Sequence, residues 1–294
     1  MVGSAVVRRL ATEACEVVTA DRSELDLTRQ EAVERFTLAR RPDVVVLAAA
    51  RVGGILANRD LPASFLYENL AIAANVIEAA HRAGVSRLLF LGSSCIYPRD
   101  AAQPIGEDSL LTGPLEPTNE AYAVAKIAGL KLVQTYRRQH GRDYIAAMPT
   151  NLYGPGDNYD LASGHVMAAL IRKICEAKHR GDPAITLWGT GSPRREFLHV
   201  DDCADALVHL LKAYADDAPI NVGTGEDIAI LDLARLISDV AGYGGEIRHD
   251  LSKPDGTPRK RLDVSRLAAS GWSPRIGLRD GIAAIYAAYE RSMA

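Results

Sequence analysis

The sequence lacks several features that mark specialised classes of protein. It has only four cysteines in 294 residues, Cys15, Cys95, Cys175 and Cys203, too far apart for a Cys-x-x-Cys pair or a zinc-ligand spacing. It has no apolar run near the roughly 18 residues that a membrane-spanning helix needs. Its first residues lack the basic and apolar stretches of a signal peptide. These absences predict a cytoplasmic protein with free thiols, without a metal and without a membrane partner.

The chain also has little excess of charge of either sign. It has 34 Lys and Arg residues against 37 Asp and Glu residues, for a net charge of −3. This balance excludes a strongly basic nucleic-acid binder, so we expect no nucleic-acid partner. Hydrophobic residues make up 48% of the chain, enough to build a buried core. The length allows one large domain or two of ordinary size.

Strand-like and helical patterns alternate through the first half of the chain. Apolar segments predict strands at 16–20, 43–50, 86–92 and 144–148, and helical periodicity predicts helices at 29–40, 64–82 and 120–140. The segment 43–50 (DVVVLAAA) is continuously apolar, which is typical of a strand buried on both faces. Such alternation predicts an α/β fold with a Rossmann-like, doubly wound parallel sheet. The ligand site of such a sheet lies beyond the carboxyl ends of its strands.

After residue 153 the pattern changes to loops rich in glycine and proline, followed by further helices and one strand. We expect residues 1–153 to form a Rossmann-like dinucleotide-binding domain, to which residues 198–222 return. Residues 154–197 and 223–294 are expected to form a smaller α/β domain that binds the substrate.

One constellation in this frame suggests catalysis. Tyr122 and Lys126 lie one turn apart in the predicted 120–140 helix, so they share a face. An ammonium group near a phenol is expected to lower the pKa of the phenol and to make Tyr122 a proton donor or acceptor near neutral pH. A Tyr-x-x-x-Lys pair alone is often a surface pair. Ser93, directly after the predicted strand 86–92, favours an active site instead.

Six segments resemble the extended short-chain dehydrogenase/reductases, and among them the GDP-L-fucose synthase family. They are AAARVGGI (48–55), LGSSCIYP (91–98), LEPTNE (115–120), MPTNLYGP (148–155), REFLHVDD (195–202) and KPDGTPRK (253–260). Together they span most of the chain. The resemblance implies a substrate, GDP-4-keto-6-deoxy-D-mannose, that is epimerised at C3 and C5 and then reduced at C4 by NADPH.

The resemblance also implies roles for individual residues. Cys95 and His165 would be the base and acid of the epimerisation, although a free cysteine is more often a small buried hydrophobe and His165 could be an ordinary helix cap. Ser93 and Tyr122 would stabilise charge on the C4 oxygen in both steps. Lys126 would tune Tyr122 and bind the nicotinamide ribose.

The cofactor implied is NADP(H). Asp21 after the first predicted strand would favour NAD, but Arg22 matches the position that binds the 2′-phosphate of NADP. Cofactor contacts are implied at Gly3, Arg22, Asp26, Leu27, Ala49, Lys126, Pro149, Asn151, Leu152 and His165.

Contacts with the GDP-sugar are implied at Lys173, Trp188, Arg195 and Asp255. Core packing of Trp188 and a solvated surface position of Lys173 are the alternatives. His199 stands close to two aspartates in the sequence, but the motif suggests hydrogen bonding there, and we predict no metal.

Helices 64–82 and 120–140 correspond to those that pair across the dimer in extended members of the superfamily, so we expect a homodimer through them. Packing of these faces within one chain is the alternative. Of the three glycines in the phosphate-binding loop of the family, only Gly3 is present. We therefore expect the first strand of the sheet to be missing, and binding of NADP to be weak.

Two other functions stay open at this stage. One is another nucleotide-sugar epimerase or reductase on the same scaffold. The other is a catalytically impaired binding protein that lacks the first strand.

Overall fold

The structure is a computed structural model that describes residues 1–161, 163–253 and 255–293, with only the backbone of Ile55. Pro254, in the KPDGTPRK segment, lies outside the described residues. The strands are β1 (Val44–Leu47), β2 (Arg87–Leu91), β3 (Asp143–Pro149), β4 (Asn151–Tyr153), β5 (Ala184–Trp188), β6 (Arg194–Arg195), β7 (Phe197–His199), β8 (Ile220–Val222), β9 (Ile228–Ala229), β10 (Glu246–Asp250) and β11 (Arg259–Lys260). The helices are α1 (Val2–Leu10), α2 (Gln30–Arg40), α3 (Ile55–Asp60), α4 (Pro62–Arg82), α5 (Glu120–His140), α6 (Val166–Arg180), α7 (Val200–Ala213), α8 (Ile230–Ala241), α9 (Ser265–Ala269) and α10 (Leu278–Ser292). None of these helices is both long and apolar enough to cross a membrane.

A parallel sheet of four strands, in the order β1-β2-β3-β8, forms the centre of the molecule. Alternate residues of β2 face opposite sides. Leu88 and Phe90 pack in a cluster that includes residues of α4 and α5, whereas Leu89 and Leu91 pack with residues of α1 and α7. Both faces are therefore covered by helices, and the predicted Rossmann-like, doubly wound α/β fold is confirmed.

The strand predicted at 16–20 is wrong. These residues form no strand, and β1 stands at one edge of the sheet as the structure describes it. A strand exists only where a neighbouring backbone takes up its hydrogen bonds, and local β propensity does not supply that neighbour. Val17 and Val18 are accordingly exposed, at 38% and 43%.

The second half of the chain builds smaller sheets around another core. Strand β5 pairs with β10, β6 lies between β9 and β11, and β4 pairs with β7. Residues of α6, α8 and α10 pack together in this second core. The two-residue strands β6 and β11 lie in the part of the chain after residue 153 where the sequence predicts loops rich in glycine and proline.

Helices α4 and α5 pack against each other on one face of the central sheet. Gly129 allows α5 to approach β2 closely, since a methyl group at this position would collide with the ring of Phe90. The first half of α5, which carries Tyr122 and Lys126, is thereby held near the end of β2. That end is followed directly by Gly92 and Ser93.

Candidate active site

The site begins where β2 ends. Gly92 packs so closely on Met148 that any side chain there would collide with it. Ser93 follows in an extended conformation and caps a short turn, Ser94–Ile96. Its hydroxyl oxygen accepts a hydrogen bond from the backbone N–H of Cys95 at 3.2 Å. The turn thus fixes the spacing between the hydroxyl of Ser93 and the thiol of Cys95.

Lys126 brings a buried ammonium group to the same place. The residue is only 4% exposed, and its Nζ donates a hydrogen bond to the carbonyl oxygen of Leu91 at 2.8 Å. Burial lowers the pKa of Lys126 to about 8. The Nζ lies 5.8 Å from the centre of the Tyr122 ring and 5.0 Å from that of Phe90.

The phenol of Tyr122 does not have the lowered pKa that the sequence predicts. Burial raises the pKa of Tyr122, the nearby Cys95 raises it further, and a hydrogen bond with Ser93 opposes both. Burial is the largest of these effects, and the ammonium of Lys126 bonds to the Leu91 carbonyl. Tyr122 is therefore held in its protonated form at neutral pH.

Cys95 is partly exposed and is contacted by two nitrogen donors. The Nδ2 of Asn119 lies 3.4 Å from its Sγ, and the Nζ of Lys260 lies 3.5 Å from it. Burial alone would raise the pKa of this thiol. The charge of Lys260, hydrogen bonds with Ser93 and Lys260, and the charge of Arg195 outweigh burial, so the pKa of Cys95 is lowered.

His165 comes from a different element, at the start of α6. It is exposed and occupies the N-cap position of α6. No hydrogen bond joins it to Ser93, Cys95 or Tyr122 among the residues described. Direct contacts join Ser93, Cys95, Tyr122 and Lys126, four of the five predicted catalytic residues.

The predicted cofactor positions are spread around the carboxyl end of the sheet. Pro149 ends β3, Asn151 and Leu152 lie in β4, and Ala49 borders the core on the α4 side. Gly3 lies in the first turn of α1 and Lys126 in α5.

The loop at 21–28 carries the remaining predicted cofactor contacts. Arg22 is exposed and pairs with Glu68 at 3.4 Å. The carboxylate of Asp26 accepts hydrogen bonds from Thr28, and the Leu27 carbonyl accepts one from Asn75. The side chains of Arg22 and Asp26 are both exposed, and Arg22 is the cation among the three residues.

The buried ammonium of Lys126 fits a dinucleotide. It has three N–H donors, and in the described part of the chain only the Leu91 carbonyl accepts a hydrogen bond from it. Two donors remain for an external acceptor such as the hydroxyl groups of a ribose. A buried cation with unused donors is costly unless a ligand supplies the missing partners.

The predicted GDP-sugar residues form a second group. Trp188 is 45% exposed, and the Nζ atoms of Lys173 and Lys253 lie 5.3 Å and 5.7 Å from its ring centre. Asp255 accepts hydrogen bonds from the backbone and hydroxyl of Thr190. An exposed ring beside cations suits a nucleoside diphosphate, so the surface position of Trp188 agrees better with binding than with core packing.

Arg195 lies in β6, next to β11. It is partly buried, and its Nη1 donates to the carbonyl oxygens of Arg194 and Thr257 at 2.8 Å and 2.6 Å. Burial lowers the pKa of this guanidinium.

The His199 cluster has hydrogen-bonding roles in the structure. The Nδ1 of His199 accepts from the backbone of Asp201 at the start of α7, and Asp202 accepts from the backbones of Arg275 and Ile276. The absence of a metal stays a prediction.

Comparison with known proteins identifies the family. The model of the NAD dependent epimerase/dehydratase family matches residues 1–223. The chain belongs to this family. The resemblance predicted from the six sequence segments is confirmed.

Members of the family with curated names are similar over the full length. The chain is 57% identical, over 100% of its own length and 94% of the relative's, to the GDP-L-fucose synthase of Sinorhizobium fredii. It is 53% identical, over 100% and 91%, to GDP-L-fucose synthase 1 of Arabidopsis thaliana. A GDP-L-fucose synthetase from Naegleria fowleri bound to NADP has a TM-score of 0.90 at 27% identity, with 99% of this chain and 91% of that chain covered.

Sequence reasoning did not single out two residues of this family site. Lys260 and Asn119 both contact the thiol of Cys95, but 165 and 24 positions separate them from it in the chain. Both lie within segments that carry the resemblance, LEPTNE and KPDGTPRK. That was the only signal available, because no periodicity connects a turn after β2 with a strand near the end of the chain.

Proposed function

We propose that this chain epimerises GDP-4-keto-6-deoxy-D-mannose at C3 and C5 and then reduces C4 with NADPH, forming GDP-L-fucose. The observation that carries the proposal is the cluster at the end of β2, where a thiol with a lowered pKa lies beside a hydroxyl and a protonated phenol. Reduction alone does not need the thiol. A proton acceptor beside two oxyanion donors is what epimerisation next to a ketone requires.

Epimerisation needs a base and an acid on opposite faces of the sugar ring. The C4 ketone acidifies the C–H bonds at C3 and C5. The thiolate of Cys95 takes one of these protons, and the electron pair moves to the C4 oxygen to give an enolate. Ser93 and Tyr122 donate hydrogen bonds to that oxygen, and His165 returns a proton to carbon from the other face.

Reduction uses the same oxygen. NADP(H) is the cofactor, and when bound as NADPH it supplies the hydride for C4. Tyr122 donates its proton to the C4 oxygen, which its raised pKa permits because the phenol is still protonated at neutral pH. The free N–H groups of Lys126 would bind the hydroxyls of the nicotinamide ribose.

The proposal also includes the other predicted contacts with the cofactor and with the substrate. Arg22 binds the 2′-phosphate, and the cofactor also contacts Gly3, Asp26, Leu27, Ala49, Pro149, Asn151, Leu152 and His165. The nucleotide of the substrate is held by Lys173, Trp188, Arg195 and Asp255. Support comes from the exposed ring of Trp188 and the cations beside it.

The two-domain organisation is part of the proposal. Residues 1–153 and 198–222 bind the cofactor, and residues 154–197 and 223–294 bind the GDP-sugar. Strand β8 supports this division, since it returns to pair with β3 in the central sheet. So does the separate core shared by α6, α8 and α10.

Turnover of the proposed substrate in D₂O tests the proposal directly. With NADPH, the chain should form GDP-L-fucose that carries deuterium at C3 and C5, with one NADPH consumed per product. The Cys95→Ser variant should lose deuterium uptake, because a hydroxyl is a far weaker base than a thiolate. Cys15→Ser, which alters an exposed thiol elsewhere, is the matched control and should keep both steps. Reduction without deuterium uptake in the unaltered protein would instead indicate a simple C4 reductase.

A further inference from the structure

The thiol of Cys95 has an ionic neighbour that no sequence pattern predicts. The Nζ of Lys260 lies 3.5 Å from the Sγ, within hydrogen-bond distance for sulfur. In the described part of the chain no ion pair joins Lys260 to a carboxylate. The thiol is thus the partner of this ammonium group in the free protein, and Cys95 and Lys260 line the same small cavity.

The backbone around Lys260 holds it firmly in this position. Strand β11 pairs with β6, with Lys260 opposite Arg195. On the other side, the segment at 103–105 holds the next residue, because Gln103 and Ile105 both hydrogen-bond to the backbone of Arg261. Alternate side chains of a strand point to opposite sides. Arg259 accordingly pairs with Asp227, while Lys260 faces Cys95.

The other groups around the thiol do not neutralise this pair. Asn119 donates its Nδ2 toward the sulfur, and Arg195 adds a second positive charge from β6. Tyr122, from α5, faces the thiol as a protonated phenol. Glu116 lines the same cavity and accepts hydrogen bonds from Thr118 and Thr257, and its charge acts on Arg195. The charges that act on the thiol are those of Lys260 and Arg195, and both lower its pKa.

We propose that Lys260 is a positioning residue that holds Cys95 as a thiolate before substrate binds, so that Cys95 can take a proton from carbon. In that step the thiolate becomes a thiol, the C–H electron pair forms the enolate, and Lys260 keeps its own proton. The role in the reaction rests on the proposed function. The ionic pairing itself does not, since it concerns the free protein.

A buried oxygen atom of the Asn119 side chain points to the same arrangement. Its Nδ2 contacts the sulfur, and its Oδ1 is buried without a hydrogen-bond partner in the described structure. An unpartnered buried acceptor is costly unless a ligand satisfies it. The amide therefore orients one end toward the thiolate and leaves the other for a donor such as a sugar hydroxyl.

The reaction of Cys95 with iodoacetamide as a function of pH tests the pairing without substrate. Only the thiolate reacts, so the inflection of the rate reports its ionisation. The Cys15→Ser background removes the other exposed thiol, and peptide mass mapping assigns the label to Cys95. In Lys260→Met the inflection should move upward by about 1–2 pH units, because the neighbouring positive charge is lost. Lys260→Arg keeps the charge and should restore most of the shift.

Lys131→Met removes an exposed lysine on α5 and should leave the inflection in place. Identical inflections for Lys260→Met and the unaltered protein would overturn the proposal. If the KM of the variant were raised at the same time, Lys260 would be a substrate-binding cation only. If Lys260→Met does not fold, Lys260→Gln, which keeps a polar side chain of similar length, takes its place with the same expected shift. Deuterium uptake should fall in parallel with the thiolate fraction, by about ten- to a hundredfold at a pH below both inflections and by less near neutral pH. A shifted inflection in a protein with no turnover of the keto-sugar would support the pairing and contradict only the proposed substrate.

Discussion

At the scale of single residues, the site keeps charges in places that are unfavourable for folding. The ammonium of Lys126 is 4% exposed and has a pKa lowered to about 8 by burial. A folded-state pKa below the ordinary lysine value of 10.5 means that folding disfavours the charged form. The lowered pKa therefore means that the charged Lys126 destabilises the folded protein when no cofactor is bound.

Replacing Lys126 with methionine should stabilise the free protein while it removes catalysis. The difference between 10.5 and about 8 corresponds to roughly 3 kcal/mol. About 1 kcal/mol is lost with the hydrogen bond to Leu91, so we expect a gain of about 2 kcal/mol in the free energy of unfolding. Urea unfolding without cofactor measures this gain.

The pH dependence distinguishes this explanation from better packing. The cost is fully present below pH 8 and disappears as the pH rises toward 10.5, since the folded protein then releases the proton. The advantage of Lys126→Met should shrink over the same range. Lys131→Met, on the exposed side of the same helix, should change stability by less than about 0.5 kcal/mol. A destabilised Lys126→Met variant at pH 7 would contradict the argument.

At the scale of elements, prediction succeeded where the signal lay within one segment. Helix α5 matches the predicted 120–140, and β2, β3 and α4 match their predicted segments within two residues. These elements are long and periodic, or continuously apolar. The strand predicted at 16–20 failed because its hydrogen bonds depend on a neighbour that local sequence does not specify.

The short strands could not be predicted for a related reason. Strands β6, β9 and β11 have two residues each, too few for any alternation of polar and apolar side chains. They form because segments that are far apart in the sequence hydrogen-bond to each other, as β6 and β11 do. The same distance hid the contact of Lys260 with Cys95, whereas Ser93, Tyr122 and Lys126 were predictable from a strand end and a helical spacing.

Glu196 shows how these short elements are held together, and it supplies a prediction. It is fully buried, and its carboxylate accepts backbone hydrogen bonds from Thr224, Gly225 and Leu262 at 2.6, 2.9 and 2.7 Å. Glu196→Ala would leave three N–H groups without this acceptor, that of Leu262 buried and those of Thr224 and Gly225 partly buried. At about 1–3 kcal/mol each, and with relaxation of the loop, we expect a loss of at least about 3 kcal/mol in the free energy of unfolding.

Denaturant unfolding of matched variants checks this value. Glu226→Ala changes an exposed glutamate in the same turn and should be nearly neutral. Similar stabilities for the two alanine variants would show that the carboxylate of Glu196 does not hold this region.

At the scale of the whole molecule, the site depends on the meeting of distant parts of the chain. Ser93 and Cys95 follow β2 of the central sheet, Tyr122 and Lys126 come from a helix on that sheet, and Lys260 comes from the small sheet of the second half. The thiol can therefore have its ionic partner only when both halves are folded and in contact.

Assembly into a homodimer is the remaining prediction at this scale. Helices α4 and α5 pack against each other within the chain, yet they keep large apolar side chains exposed, with Tyr67 at 65% and Val124 at 41%. Apolar groups exposed on adjacent helices favour association with a second copy. Light scattering coupled to size exclusion should give about twice the 31.7 kDa of one chain.

Charged substitutions on this face should separate the subunits. The double variant Tyr67→Glu, Val124→Glu places carboxylates where apolar groups would be buried, and it should elute with the mass of one chain. Val7→Glu is the matched control, because Val7 is also apolar and is 39% exposed, but lies on α1, which packs on the opposite face of the sheet. It should leave the dimer intact. A single-chain mass for the unaltered protein, or dissociation by Val7→Glu instead, would show that the exposed apolar groups of α4 and α5 are not the interface.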